Sequence, residues 1–148
     1  VEVVLRSAIS AELIAKIKSA YPKMIVGAGT VVNKASLEEA LKAEADFIIT
    51  PTTTPRLLSL LEQVSVPVIP GVSNMSEILF CIECGYTELK LFPAVLSGGV
   101  NMLKTVKSVF PQVTFCPTGG ISESNMYDFL ALDNVTAVGG TWLTNITV

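Results

Sequence analysis

Seven apolar, β-branched runs recur along the chain, starting near Val1, Met24, Asp46, Pro67, Thr87, Val113 and Val135, at intervals of 20 to 26 residues. Each of the first six is followed by a stretch with the apolar spacing of a helix: Glu12 to Ala20, Ser36 to Ala45, Pro55 to Gln63, Ser76 to Cys84, Val100 to Phe110 and Ser124 to Leu132. Ser36 with Glu39, and Ser73 or Asn74 with Glu77, have the spacing of capping boxes at helix starts. A strand-then-helix repeat specifies parallel strands, because a chain that re-enters a sheet in the same direction needs a long crossover. Half of the residues are hydrophobic and the mean hydropathy is +0.58. That excess suits strands buried on both faces, as parallel sheets require. No apolar run approaches the ~20 residues of a membrane span, since charges, Pro or Gly interrupt each one.

Two closures of such a sheet are open, a barrel and a doubly wound sheet. The expected fold is a TIM (β/α)8 barrel, reduced to seven strands and six helices, with the first βα unit and the C-terminal helices missing. The shortfall follows from length, because a full barrel takes at least ~200 residues and this chain has 148. The doubly wound alternative usually carries a G-x-G-x-x-G turn, which Gly27-Ala28-Gly29-Thr30 only approaches. Residues 1–148 read as a single domain.

Several function classes are disfavoured. The net charge is −3 with no basic cluster, which argues against nucleic-acid partners and anionic membrane surfaces. The chain has no histidine, so the usual general base, the commonest zinc ligand and a Ser-His or Cys-His pair are all absent. Acid–base work falls to Glu, Asp, Lys, Tyr or Cys. Cys81 and Cys84 have C-x-x-C spacing but sit in a helical pattern without a second ligand pair, so they read as packed thiols. With Cys116 they make an odd count of three, which suits a reducing, cytoplasmic compartment. No metal site is expected.

Lys90 interrupts the apolar run Leu89-Lys90-Leu91-Phe92-Pro93-Ala94-Val95-Leu96. A lysine inside a buried strand is pushed toward its neutral amine, the form that attacks a ketone. The structural alternative is a strand-end lysine whose stem is covered while its head reaches water. Glycine pairs follow the last three runs, at Gly98-Gly99, Gly119-Gly120 and Gly139-Gly140. The carboxyl ends of barrel strands carry the active site, and the loops after strands seven and eight often bind phosphate. Glycines let backbone N–H groups approach phosphate oxygens, a helix starting after Ile121 would add its dipole, and Thr118 and Thr141 offer hydroxyls. The alternative is that these pairs are turns.

In the first run Glu2, Val4 and Arg6 share one parity and hence one face. A carboxylate and a guanidinium on an inward face suggest a site; the alternative is a simple ion pair on an exposed edge. Thr30 and Thr50-Pro51 end the next two runs and fall at the same mouth, although each alone is ordinary turn chemistry. Trp142 fits core or mouth packing.

At these positions the sequence resembles the 2-keto-3-deoxy-6-phosphogluconate aldolase and 4-hydroxy-2-oxoglutarate aldolase family. The resemblance rests on Glu2-Val3-Val4-Leu5-Arg6, Val26-Gly27-Ala28-Gly29-Thr30-Val31, Leu89-Lys90-Leu91-Phe92-Pro93-Ala94 with Ser97-Gly98-Gly99, Cys116-Pro117-Thr118-Gly119-Gly120-Ile121, and Val138-Gly139-Gly140-Thr141-Trp142-Leu143. The five motifs occur in order over essentially the whole chain. The resemblance implies a class I aldolase on an α/β barrel, assembled as a homotrimer, needing no cofactor. It implies that Lys90 forms the Schiff base and Glu2 is the general acid/base. Arg6 and Thr30 would hold the substrate carboxylate, Pro51 and Phe92 would line the pocket, and Gly119, Gly120, Gly140 and Thr141 would cradle the phosphate. The implied partner is a phosphorylated keto acid, cleaved to pyruvate and glyceraldehyde 3-phosphate, with 4-hydroxy-2-oxoglutarate as a second substrate. Three positions depart from the family pattern: Thr52 stands where glycine is frequent, Val95 where some relatives have glutamate, and Thr141 where many have serine. Two other readings use the same glycine loops, a phosphate-binding barrel isomerase or synthase and a non-catalytic barrel binding a phosphorylated ligand. The isomerase or synthase reading gives no reason for an apolar-flanked lysine, and binding without turnover would favour the non-catalytic one.

Overall fold

The structure, a computed structural model, describes residues 1–7 and 9–142. They divide into two compact units, Val1–Gly71 and Val72–Val148.

In the first unit strands and helices alternate as β1 (Glu2–Val4), α1 (Ser10–Ala20), β2 (Gly27–Gly29), α2 (Lys34–Lys42), β3 (Ile48–Ile49), α3 (Pro55–Leu61) and β4 (Val68–Ile69). The sheet order is β1-β2-β3-β4 and each adjacent pair is parallel, with Val3 opposite Ala28, Ala28 opposite Ile48, and Ile48 opposite Val68. Ala28, Ile48 and Val26 are wholly buried, together with Ile14 of α1 and Ala40 of α2. Continuous burial along β2 and β3 is what a parallel sheet imposes when helices cover it. Each fully buried aliphatic side chain contributes about 1.5–3 kcal/mol.

The second unit carries β5 (Gly71–Val72), α4 (Met75–Glu83), β6 (Glu88–Leu91), α5 (Gly99–Val109), β7 (Thr114–Phe115) and α6 (Met126–Leu130), with β5 starting at the last residue of the first unit. The order is β5-β6-β7, and β6 and β7 run parallel with Leu89 opposite Phe115. Leu89, Leu91, Leu103, Val106 and Phe115 form its interior.

Four local expectations need correction. The run from Pro67 is not one strand: β4 and β5 flank Pro70 and belong to different sheets, because proline has no N–H for a ladder. The run from Val135 forms only isolated parallel bridges, Phe115 with Val135 and Thr118 with Gly139. The cap of α2 is Asn33, whose Oδ1 accepts from the Ser36 N–H at 2.9 Å while Ser36 Oγ accepts from the Asn33 N–H at 3.2 Å. Asparagine there does what was expected of Ser36 with Glu39. Finally, α6 begins at Met126 and has five residues, so no helix N-terminus stands directly after Ile121.

Candidate functional site

In the first unit Arg6, Thr30 and Pro51 lie beyond the carboxyl ends of β1, β2 and β3, whereas Glu2 opens β1. β1 places Val3 in the core at 8% exposure, so Glu2 and Val4 take the other face. The Glu2 carboxylate lies over Gly29, where any β-carbon would collide with it. That close approach explains a glycine inside β2. Thr30 follows at once with φ +62°, a left-handed backbone that a β-branched residue rarely adopts. Such strain persists where surroundings over-determine it.

The shared parity of Glu2 and Arg6 does not survive. β1 ends at Val4, the Leu5 N–H still bonds Gly29 O at 2.9 Å, and then the Arg6 N–H turns back to Val4 O at 3.0 Å. This three-residue turn breaks the alternation, and Arg6 is exposed. Arg6 and Glu2 do line one open groove of about 440 Å³ beside α1. Pro51 is half-buried beyond β3, packed so tightly on Gly71 that a β-carbon there would strike the Thr50 and Pro51 backbone. Thr50 is fully buried and its Oγ1 accepts from the Gly71 N–H at 2.8 Å.

In the second unit Lys90 sits in β6 at 6% exposure between Leu89 at 1% and Leu91 at 0%. Its Nζ stands 5.2 Å from the centre of the Phe92 ring. A cation or a lone-pair amine at that distance sits in an apolar, polarisable setting. The chain beyond β6 stays laced to the chain beyond β7: Thr118 N–H bonds Leu91 O at 2.9 Å, Ala94 N–H bonds Thr118 O at 2.8 Å, and Val95 N–H bonds Gly119 O at 3.2 Å. A β-carbon on Gly119 would lie 3.0 Å from Pro93 Cα and 3.2 Å from the Phe92 ring. Gly119 and Gly120 have φ +94° and +79°, so both the space and the backbone require glycine.

The last glycines join this group. The Gly139 N–H bonds Pro117 O at 2.9 Å, and Thr118 packs against Gly139, so strand ends carrying Gly119 and Gly140 lie side by side. Gly140 is covered by the Trp142 ring, and Thr141 is exposed. Leu143, the end of that motif, lies outside the described residues.

Two residues escaped the reading of the sequence. Asn125 holds the Gly120 loop, with its Nδ2–H donating to Gly120 O and its Oδ1 accepting from the Ser122 N–H, both at 2.9 Å. Thr53, in the loop after β3, buries an Oγ1 that makes no hydrogen bond among the described residues. The run Ser122-Glu123-Ser124-Asn125 was the one available signal for the first, since asparagine bonds its local backbone readily. A run of three threonines gave none for the second.

The family model for KDPG and KHG aldolases matches residues 1–148. The KHG/KDPG aldolase of Escherichia coli strain K12 is 44% identical over 142 residues, which make 96% of this chain and 67% of that protein. The KDPG aldolase of Legionella pneumophila, solved with pyruvate captured as a covalent carbinolamine, superposes with a TM-score of 0.94 at 39% identity, covering 98% of this chain and 70% of that one. The aldolase of Zymomonas mobilis with 3-phosphoglycerate gives 0.91 at 37% identity over 96% and 68%. The fold is therefore the TIM-barrel-like α/β fold of these enzymes, and the chain spans about two thirds of their length.

Proposed function

The chain belongs to the KDPG and KHG aldolase family of lyases, and from that premise we propose that it cleaves a phosphorylated 4-hydroxy-2-keto acid through a Schiff base on Lys90. The preferred substrate is 2-keto-3-deoxy-6-phosphogluconate, with 4-hydroxy-2-oxoglutarate as the unphosphorylated one. The observation that carries the proposal is the burial of Lys90 in β6 against Phe92, whose ring abuts Gly119.

The unprotonated Lys90 amine adds to the C2 ketone, giving a carbinolamine that loses water to form an iminium. Glu2 takes the proton of the C4 hydroxyl, the C3–C4 bonding pair flows into the iminium, and the aldehyde leaves. The resulting enamine is reprotonated at C3, and water returns to release pyruvate and Lys90. Arg6 and Thr30 hold the substrate carboxylate, Arg6 by charge-assisted hydrogen bonds. Gly119, Gly120, Gly140 and Thr141 receive the phosphate, with backbone N–H groups as donors. Pro51 and Phe92 line the pocket. A homotrimer in the cytoplasm is the proposed setting; no helix among the described residues is long and apolar enough to cross a membrane.

Incubation with pyruvate and borohydride, followed by intact mass and peptide mapping, tests the chemistry. A single reduced pyruvyl adduct on Lys90 is the expected product. An unmodified Lys90 peptide overturns the mechanism.

A further inference from the structure

Of the glycines proposed to receive phosphate, Gly119 and Gly120 have no side chains to lock their peptide planes, and both have a positive φ. Something outside the pair must fix them. Gly119 is fixed by the β6 loop, through the Val95 N–H bond to its carbonyl and through the Phe92 and Pro93 walls. Gly120 is exposed and has Val95 on one side. Its carbonyl is held by Asn125, whose amide spans five residues to bond Gly120 O and closes back on the Ser122 N–H, both at 2.9 Å. The two bonds use opposite ends of one planar amide. They fix the peptide between Gly120 and Ile121 from its carbonyl side, so the N–H of that peptide points away from Asn125. Ile121 anchors the far end, at 7% exposure.

We infer that Asn125 is a positioning residue for the phosphate half of the substrate: by holding the Gly120 carbonyl it aims the neighbouring backbone N–H groups at the phosphate oxygens. The inference rests on the proposed aldolase reading. Asn125 touches no reacting atom, and α6, which it precedes, is too short to contribute a helix dipole of its own. At Gly120 the hydrogen-bond pair supplies the order. Without it the Gly120 peptide samples other orientations, and binding the phosphate then costs the entropy of ordering it.

The test is a pair of variants, Asn125→Ala, which loses both bonds, and Asn125→Asp, which keeps the acceptor for Ser122 and loses the donor to Gly120. Each is assayed with 2-keto-3-deoxy-6-phosphogluconate and with 4-hydroxy-2-oxoglutarate, and a separate sample of each is labelled at Lys90 with pyruvate and borohydride. The expected result is a rise of about tenfold in KM for the phosphorylated substrate, with kcat unchanged. KM for the unphosphorylated substrate moves less than twofold, and Lys90 labels as in the parent chain. Inorganic phosphate, as a competitive inhibitor, weakens by the same factor. Equal losses on both substrates, or an Asn125→Asp variant with the parental KM, overturn the inference while labelling stands. Loss of labelling in the parent chain overturns the underlying reading instead. If Asn125→Ala does not fold, the Asp variant decides.

Discussion

Two lysines show how differently the two units use a charge. Lys18, on α1 of the first unit, bridges Glu44 O and Asp46, whose Oδ1 accepts at 2.7 Å and whose Oδ2 accepts from the Val26 N–H at 2.8 Å. The pair stays partly wet, with side chains 28% and 35% exposed, and it stands at the amino ends of β2 and β3. Lys90 of the second unit is dry, inside β6 near its carboxyl end, facing a ring. In barrel folds the amino-terminal face serves stability and the carboxyl-terminal face carries chemistry. The same residue type therefore ties ends together in one place and, in the proposed reaction, is the nucleophile in the other.

The contrast is broken most severely at Lys90. Lys90→Met is expected to lower kcat/KM by at least ~10⁴, since the covalent route disappears, and to give no borohydride adduct; Lys18→Met should keep parental turnover. If Lys18→Met matched the loss, the division of labour would be wrong. Next in size are core truncations, one in each unit. Ile48→Ala and Leu91→Ala remove wholly buried side chains and should each cost about 2–5 kcal/mol in urea unfolding.

A smaller effect sharpens the picture of the glycine loops. Gly119→Ala forces a side chain into φ +94° and against Pro93, with an expected cost of ~1–3 kcal/mol and a raised KM for the phosphorylated substrate. A matched change at Gly85, which also has positive φ but open space around it, should cost less stability and leave KM alone. The smallest effect concerns pH. The hydrogen bond from Lys18, then that from the Val26 N–H, hold the Asp46 carboxyl below its ordinary range. Its stabilising contribution is complete above the unfolded-state value of about 3.9 and fades as pH falls through the lower folded-state value. Asp46→Asn should flatten the acid side of the stability profile in thermal melts from pH 6 to pH 2. An unchanged slope would show the pair to be idle, the common result for exposed ion pairs.

The positions of the six helices among the described residues could be read from the sequence because apolar spacing of three and four residues is a local property. Strands were legible as runs but not as ladders. Pro70 splits one run between two sheets, and the run from Val135 pairs only at single residues. Pairing depends on what lies alongside, which a one-dimensional pattern does not contain. Arg6 shows the same limit, because one turn after Val4 cancels a parity argument that held for Glu2 and Val4.

By itself the sequence determined the βα repeat, the apolar flanks of Lys90 and the glycine pairs that follow the later runs, because hydrophobic periodicity and glycine placement act over a few residues. Only the tertiary structure decided that Glu2 lies on Gly29, that Gly119 faces the Phe92 ring, and that Asn125 holds Gly120. Those choices are made by distances between atoms remote in the chain, and packing alone sets them.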